Sequence, residues 1–359
     1  MKICVYAIAK NEAKHVERFC KSAEGADYIV IADTGSEDET VALARERGAT
    51  VHSISVVPFR FDTARNAALA LVPADTDICV SLDLDETLEP GWREEVERVW
   101  TDGVTRLKHL YAFTKEHIFH AQKIHARHGY TWKYPCHEFQ EIDPSLNEIT
   151  ATTDMLLISH DRDLTKSRSQ YMDILRRATM ENRDCSRSAY YYAREMYYEN
   201  MAYEAIAEFD RFLSMPKATW DAERSYARRA IGECYEALGD NLAAERSYML
   251  ACAEQPYARD GWLALARYYY RREMWRECYG AIGRCLSIST RNYDFTAMAA
   301  CWGYEPYDLM ALAAYHTMRR EEARFYGEKA LEFDPGNARL IRNLAWYSCD
   351  DDGKLEAAE

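Results

Sequence analysis

Short apolar runs alternate with amphipathic stretches of about a dozen residues through the first half of the chain. The apolar runs cover residues 2–9, 27–33, 49–56 and 78–82. Between them, apolar residues recur at helical spacing after a turn or a capping residue. Strands that alternate with helices in this way predict a parallel sheet with right-handed crossover connections.

The pattern changes after this region. Residues 107–113 and 117–124 are longer extended runs that predict an antiparallel hairpin, and residues 154–160 predict one more strand. Beyond about residue 165 the strand signals stop, and apolar residues recur only at helical spacing. We therefore expect an α/β domain over residues 1–165 and an all-α domain over residues 166–359.

The helical half contains a repeated pattern. In residues 225–256 the small and aromatic residues resemble the tetratricopeptide repeat, with positions Gly232, Tyr235, Gly239, Ala244, Tyr248, Ala251 and Pro256. Aligning Ala205, Ala244, Cys278 and Ala323 gives steps of 39, 34 and 45 residues, and the last step contains an insertion at 291–298. We expect a terminal capping helix at 341–347. The concave face of such an array binds a peptide or a partner, including a second copy of the chain.

The composition is that of a soluble globular protein, with 359 residues, 48% hydrophobic and 29% charged. No apolar run approaches the roughly 20 residues that span a bilayer. The N-terminal run is too short for a secretory signal. The eleven cysteines contain no Cys-x-x-Cys, which argues against a zinc site or a disulfide framework and favours reduced thiols in a cytoplasm.

The net charge of −14 argues against a nucleic-acid-binding protein with a basic surface. One segment reverses the sign: residues 105–134 contain six Lys or Arg and one acidic residue, together with five histidines. This segment either meets an anionic ligand or forms a solvated face of a hairpin, which is the commoner cause of a charge run.

Acidic residues follow the predicted strands. Asp33 ends the second strand, and Asp83 and Asp85 follow the fourth. Ligands of parallel sheets bind at the carboxyl ends of the strands. Alternation along an extended backbone places Asp83 and Asp85 on the same side, where they would hold a Mg²⁺ or Mn²⁺ ion and a diphosphate. The alternative is a solvated strand end. The chain lacks a Gly-x-Gly-x-x-Gly after the first strand and a Walker loop, which excludes two common nucleotide folds.

Four segments resemble the successive motifs of family 2 glycosyltransferases: residues 8–12, 31–38, 64–66 and 82–86. The resemblance implies an N-terminal GT-A domain with a Rossmann-like mixed sheet, followed here by the all-α tetratricopeptide-like repeats. It also implies an inverting transferase with a nucleotide-sugar donor, usually a uridine diphosphate sugar. A divalent Mn²⁺ or Mg²⁺ ion is the implied cofactor.

The resemblance assigns roles in donor binding to five residues of this sequence. Asp33 would hydrogen-bond the base, while Glu12 and the first-strand main chain at Ala7 would border the nucleoside. Arg65 would stand near the base or the diphosphate, and Asp83 near the ribose or the donor sugar. Other interpretations remain: Arg65 as a surface helix charge, and Asp33 as a helix cap.

The resemblance also assigns the chemistry. Asp85 would bind the metal, and His160, at the end of the last predicted strand, would be a further ligand because imidazole suits Mn²⁺. An inverting reaction needs a base for the attacking hydroxyl, and Glu138 is our candidate, with His137 positioning it or contacting the diphosphate. Alternatively, His137 and Glu138 cap the following element, and His160 is structural.

The leading hypothesis is a metal-dependent glycosyltransferase whose repeats bind or orient a macromolecular or glycan acceptor. A competing hypothesis is a repeat scaffold with a non-catalytic sugar-nucleotide-binding domain. A nucleotidyltransferase is set aside because residues 7–12 contain no glycine. Ala32 stands where the family often has a second acid, so the donor nucleotide stays open. The sequence also leaves the acceptor open: it could be a glycan, a lipid-linked sugar, a protein or a modified base in DNA. DNA would be an anionic acceptor, and its binding would weaken with salt.

Overall fold

The computed structural model describes residues 1–161 and 169–348. The chain divides into two compact units, residues 1–182 and 183–359. The domain boundary that we predict after residue 165 lies outside the described residues. The first helix described after it, α5 (Ser169–Glu181), groups with the first unit.

The first unit contains ten strands and five helices among the residues described. The strands are β1 (Ile3–Ala9), β2 (Tyr28–Asp33), β3 (Thr50–Ser53), β4 (Ile78–Ser81), β5 (Glu86–Leu88), β6 (Arg106–Ala112), β7 (Ile118–Ala126), β8 (Tyr130–Lys133), β9 (Phe139–Ile142) and β10 (Thr150–His160). The helices are α1 (Ala13–Ser22), α2 (Thr40–Glu46), α3 (Phe61–Ala70), α4 (Trp92–Val99) and α5.

Eight strands form one mixed sheet in the order β3-β2-β1-β4-β7-β6-β10-β5. The four neighbouring strands β3, β2, β1 and β4 are parallel to one another, which confirms the α/β prediction. Strands β6 and β7 form the predicted antiparallel pair, and β7 also pairs antiparallel with β4. Strands β8 and β9 form a separate antiparallel pair. The hydrophobic pattern of the sequence did not predict β5, β8, β9 or α4.

The core explains the apolar runs. Strands β1 and β4 are buried almost throughout, because the central strands of a parallel sheet are covered on both faces. Helix α1 contributes one face to this core, with Val16, Phe19 and Cys20 buried. The carboxyl ends of β1, β2 and β4 therefore meet at one edge of the sheet.

The segment after β4 differs from our expectation. We expected an extended backbone with Asp83 and Asp85 on the same side. Instead the chain turns at Leu84 and Asp85, where the Glu86 N–H donates to the Asp83 carbonyl at 2.9 Å. Leu84 is buried, at 2% exposure. The turn gives the two aspartates different neighbours, so the alternation argument fails.

The second unit consists of helix pairs. Its helices are α6 (Ser186–Tyr198), α7 (Ala202–Ser214), α8 (Asp221–Ala237), α9 (Asn241–Glu254), α10 (Arg259–Arg271), α11 (Trp275–Ser287), α12 (Glu305–His316), α13 (Arg320–Phe333) and α14 (Ala338–Tyr347). The four residues that we aligned each occupy the fourth position of a second helix, in α7, α9, α11 and α13, and each is fully buried. Helix α14 is the predicted terminal helix. These pairs confirm the tetratricopeptide-like architecture.

The described part of the chain also shows the state of the cysteines and the character of the helices. Its ten cysteines are all free, and nine of them are buried. None of the described helices is long and apolar enough to cross a membrane. The cytoplasmic location stays a prediction.

Candidate active site

Arg65 is the centre of a buried charge cluster. Helix α3 carries it in its second turn, and only 7% of the residue is exposed. Its Nη1 lies 2.8 Å from Asp83 Oδ1, and its Nε donates to Glu138 Oε1. Burial opposes the guanidinium charge, but the two carboxylates outweigh it and raise the pKa of Arg65 well above its usual value. The alternative of a surface helix charge is therefore wrong.

Asn66 fixes the strand pair that delivers Glu138. Its side chain donates to the Trp132 carbonyl at 2.8 Å and accepts from the Trp132 N–H at 2.9 Å. Trp132 in turn donates its indole N–H to the buried Tyr6 hydroxyl at 2.8 Å, and its ring lies 5.1 Å below the Arg65 guanidinium. Helix α3 thus holds β8, and the loop after β8 brings Glu138 to Arg65.

Lys123 joins the cluster from β7. Its Nζ lies 3.2 Å from Asp83 Oδ2 and hydrogen-bonds both oxygens of Glu86. The Tyr111 hydroxyl donates to Glu86 Oε1 at 2.7 Å, and Glu86 is only 2% exposed. Lys123, Glu86 and Tyr111 are not among the site residues that we predict from the sequence. Two features of the sequence could have pointed to two of them: Glu86 directly follows Asp85, and Lys123 lies in the basic segment.

The two carboxyls that share Lys123 have opposite pKa shifts. Burial opposes ionisation of Asp83, but the charges of Arg65 and Lys123 outweigh it and hold its pKa well below the usual range. For Glu86 burial dominates, with help from the nearby Asp83 charge, so its pKa is raised despite Lys123. Asp83 is therefore the firmly ionised member of the pair, and Glu86 is the one that more readily takes up a proton.

Asp85 and His160 form the second part of the site. The pairing of β10 with β5 sets His160 opposite Glu86, and His160 Nε2 lies 3.4 Å from Asp85 Oδ2. The imidazole stacks on Phe113 with ring centroids 5.2 Å apart. Burial lowers the pKa of His160, but the Asp85 carboxylate outweighs burial, and the net shift is upward.

This pair fits a divalent cation that shares its coordination with a substrate. The described residues contain no group of three or more His, Cys, Asp or Glu side chains that could hold a metal ion. Mg²⁺ and Mn²⁺ sites that bind phosphates need only one or two protein ligands, because phosphate oxygens and water complete the shell. A carboxylate and an imidazole suit Mn²⁺. Asp85 and His160 can therefore serve as the protein's share of such a site.

Two further candidates, Asp33 and Glu12, lie at the end of β2 and after β1. Asp33 is 3% exposed, and its carboxylate accepts from the Gly35 and Ser36 N–H groups at 3.0 and 3.1 Å and from the Ser36 hydroxyl. The residue thus closes its own loop after β2. Glu12 precedes α1, and its N–H donates to the Thr40 hydroxyl at 2.7 Å.

Ala7 and His137 have structural settings of their own. Ala7 lies within β1 and is 1% exposed in the hydrophobic core, so only its main chain can border a ligand. His137 has a positive φ of 52°, a conformation that non-glycine residues seldom adopt. Its ring lies 5.8 Å from that of Tyr171 on α5. The positive φ marks a sharp bend immediately before Glu138.

The basic segment is not one solvated face. Arg106 is 3% exposed and donates to the Gln140 carbonyl at 2.6 Å, while Lys123 belongs to the buried cluster. His109 and His125 are completely buried, and burial lowers their pKa values to about 4 and about 3. Both imidazoles are neutral at pH 7. This segment therefore provides less positive surface than its composition suggested.

Residues 4–138 match the model of glycosyl transferase family 2. The matched range begins in β1 and ends at Glu138. The chain is also 31% identical over 100 residues to an uncharacterized glycosyltransferase of Rickettsia bellii (strain RML369-C). That alignment covers 28% of this chain and 33% of the relative, so the chain spans about a third of the relative's length. The N-terminal unit thus contains a family 2 glycosyltransferase domain.

Two solved structures are similar to this chain. One is MamA, with 18% identity and a TM-score of 0.37, covering 47% of this chain and 83% of MamA. The other is YrrB, described as a TPR protein with an unusual peptide-binding site, with 16% identity and a TM-score of 0.39, covering 48% of this chain and 81% of YrrB.

Proposed function

We propose that the chain is an inverting glycosyltransferase that moves a sugar from a nucleotide-sugar donor, a uridine diphosphate sugar, to a hydroxyl of an acceptor. One observation carries this proposal: Arg65 joins Asp83 to Glu138 at the strand ends, and the Asp85–His160 pair lies beside Asp83 along the chain. An ionised acid, a second acid and a metal-compatible pair are the groups that such a reaction requires.

Asp85 and His160 would hold the Mn²⁺ or Mg²⁺ ion, which supplies Lewis-acid stabilisation of the departing diphosphate. Asp83 is held ionised by Arg65 and Lys123, and would accept hydrogen bonds from hydroxyl groups of the ribose or the donor sugar. Glu12, Asp33 and the main chain at Ala7 keep their proposed roles around the nucleoside.

Glu138 is the proposed base. It takes the proton of the acceptor hydroxyl while that oxygen attacks the anomeric carbon and the bond from carbon to the diphosphate oxygen breaks. Before the donor arrives, its carboxylate is paired with Arg65, which must release it before it can reach the acceptor hydroxyl. The diphosphate adds negative charge that competes for Arg65, and that competition frees Glu138. The bend at His137 sets the direction of the carboxylate.

The same ion pair supports a second candidate function. If Arg65 keeps Glu138 paired when the donor is bound, the first unit binds a nucleotide sugar without transferring it, and the chain is a repeat scaffold with a sugar-nucleotide sensor. The two functions share the donor and differ in turnover. The acceptor is a glycan, a protein or a modified DNA base, with the helical repeats as its proposed docking place. A DNA acceptor requires transfer that weakens steeply with salt.

The test starts with nucleotides and nucleotide sugars in thermal-shift assays, with and without Mn²⁺. A ligand of the folded state raises its stability by RT ln(1 + [L]/Kd). Donor hydrolysis or transfer is then measured for Asp85→Ala, Glu138→Gln and the control Glu141→Gln, an exposed acid three residues further on. We expect Asp85→Ala to lose the metal-dependent shift and Glu138→Gln to keep it but lose turnover by roughly 100-fold or more.

The outcomes separate the two functions. Donor binding without turnover in the wild-type chain favours the sensor. Undiminished turnover in excess chelator removes the role of the metal, and normal turnover by Glu138→Gln removes Glu138 as the base. The Glu141→Gln control should behave as the wild-type chain does.

A further inference from the structure

The connection between α11 and α12 is an insertion with its own tertiary contacts. We name residues 289–304 the strap; it contains a short 3-10 helix at Ala299–Trp302. The step of 45 residues between Cys278 and Ala323 exceeds the 34-residue period of the repeat by eleven. A helix pair of the repeat closes without these eleven residues, so the repeat itself does not explain the path that the strap takes over the neighbouring helices.

The strap runs along the first helices of the pairs. Helices α6, α8 and α10 contact one another in succession, as expected for the inner row of a curved stack. We call the side of these helices that contacts the strap the first-helix face; it includes Tyr190, Tyr191, Arg229, Arg259 and Asp260. The strap contacts residues of all three helices, so it crosses successive repeats in the way that an extended ligand would.

Two buried charges on this face bind the main chain of the strap. Arg229 on α8 donates to the Thr296 carbonyl at 3.0 Å, and Asp260 on α10 accepts from the Met298 N–H at 2.5 Å. Arg229 is 6% exposed and Asp260 is 2% exposed. Hydrogen bonds to main-chain groups are available to any extended segment, whatever its side chains, and they supply affinity in many peptide-binding sites.

An aromatic side chain anchors the strap. The ring of Phe295 lies 6.3 Å from that of Tyr190, 6.3 Å from that of Tyr191 and 5.3 Å from that of Trp220. The two tyrosines belong to α6, and Trp220 immediately precedes α8. An aromatic residue beside a clamped main chain is the arrangement by which grooves select extended peptides.

Arg259 holds the far end of the strap. Its Nη1 donates to the Cys301 carbonyl at 2.9 Å, and its Nε donates to the Ile288 carbonyl at 2.8 Å. The guanidinium lies 3.8 Å from the centroid of the Trp302 ring. One α10 side chain therefore contacts both the residue just before the strap and two residues near its end.

The strap does not use all the hydrogen-bonding groups beneath it. Within residues 1–161 and 169–348, the Arg229 Nε and Asp260 Oδ2 atoms are buried and have no hydrogen-bond partner. Burial raises the pKa of Asp260, as expected for a carboxyl whose second oxygen is unsolvated. Since nearly all buried polar atoms in proteins are paired, these two atoms mark hydrogen-bonding capacity that another occupant could use.

We propose that the first-helix face of α6, α8 and α10 is a peptide-binding groove that the chain's own strap occupies, and that it accepts an extended peptide with an aromatic side chain only after the strap is released. The aromatic contacts of Phe295 and the main-chain clamps at Arg229 and Asp260 carry this proposal. It concerns the second unit alone and does not depend on the transferase activity.

The test uses a fluorescent peptide with the sequence of residues 290–302. In the wild-type chain the tethered strap has an effective concentration in the millimolar range, so micromolar peptide cannot displace it. In a Phe295→Ala chain the strap loses its anchor, and we expect the peptide to bind roughly tenfold or more tightly than to the wild-type chain in fluorescence anisotropy. A peptide with Ala at the position of Phe295 should not bind. Phe325→Ala, which removes an aromatic residue that is 51% exposed on α13, is the matched control and should behave as the wild-type chain does.

A second variant carries the test if Phe295→Ala does not fold. A protease recognition sequence inserted after Ser289 is cut after purification, which leaves the strap tethered at one end only. A strap held at one end only has a lower effective concentration at the groove than one held at both ends, so the cut chain should bind the peptide more tightly than the uncut chain. The proposal is overturned if a folded Phe295→Ala chain and the cut chain both bind the peptide no better than the wild-type chain, or if the Phe325→Ala control gains the same affinity.

Discussion

Replacing Lys123 by Met should destabilise the first unit, because it removes the cation that Asp83 and Glu86 share. Glu86 has a side-chain exposure of 3% and cannot be rehydrated, whereas Asp83 keeps Arg65 and has a side-chain exposure of 30%. Breaking a buried ion pair by removing one partner costs about 3–5 kcal/mol. Since only one carboxylate is stranded and it can take up a proton, we expect about 3 kcal/mol at pH 8, or roughly a hundredfold in the unfolding equilibrium.

The pH dependence has a definite sign. The pKa of Glu86 is already raised in the folded protein, and the loss of the Lys123 charge raises it further. A group whose folded pKa lies above its unfolded value stabilises the fold below the unfolded pKa, and that contribution is lost as the pH rises through the folded pKa. The Lys123→Met deficit should therefore shrink as the pH falls from 8 to 5. A Lys123→Met, Glu86→Gln double variant should recover at least half of it, because no charge is then stranded at position 86.

Native-state hydrogen exchange on the full chain measures this effect locally. Amides of β4 and β7 report the first unit, and amides of α8 to α11 serve as the internal control. Lys115→Met, at an exposed position before β7, is the matched variant and should leave both sets unchanged. A Lys123→Met deficit below about 1 kcal/mol at pH 8, or one that does not change with pH, would refute the reasoning, because it would mean that Glu86 is solvated.

Three further substitutions test the packing. Gly232→Ala would place a Cβ 2.9 Å from ring carbons of Tyr248, which is 1% exposed, so we expect the free energy of chemical unfolding to fall by about 1–3 kcal/mol. Gly280 also lies inside a helix but has open space around the added methyl group, so Gly280→Ala should stabilise the protein by about 0.5–1 kcal/mol. A loss of stability in Gly280→Ala would contradict the open space that we describe around this residue. Asn66→Ala removes both hydrogen bonds to Trp132 and should cost about 1–3 kcal/mol and reduce turnover by loosening the loop that carries the base, whereas unchanged thermal stability would show that β8 is held by other contacts.

Local patterns were enough to predict the helical repeats. Ala205, Ala244, Cys278 and Ala323 were aligned by residue type alone, and each lies fully buried at the same position of a second helix. Small residues are required there because paired helices approach closely. The parallel strands were equally accessible, since both faces of a central strand are covered and its sequence is a continuous apolar run. Strand β5, with three residues, is too short to leave such a run, and β8 alternates buried Tyr130 and Trp132 with exposed Thr131 and Lys133, so it contains no continuous apolar run.

The sequence by itself determined the α/β and all-α classes of the two halves, the repeat positions and a set of strand-end acids, because the spacing of buried positions is a property of consecutive residues. Only the tertiary structure decided which charges meet. Arg65 reaches Glu138 across 73 residues, and Lys123 reaches Glu86 across 37. These pairs exist because β7 lies beside β4 and because Asn66 holds β8 against α3. Periodicity reports which face of an element is buried, whereas strand order and loop placement decide which side chains face each other in the buried space.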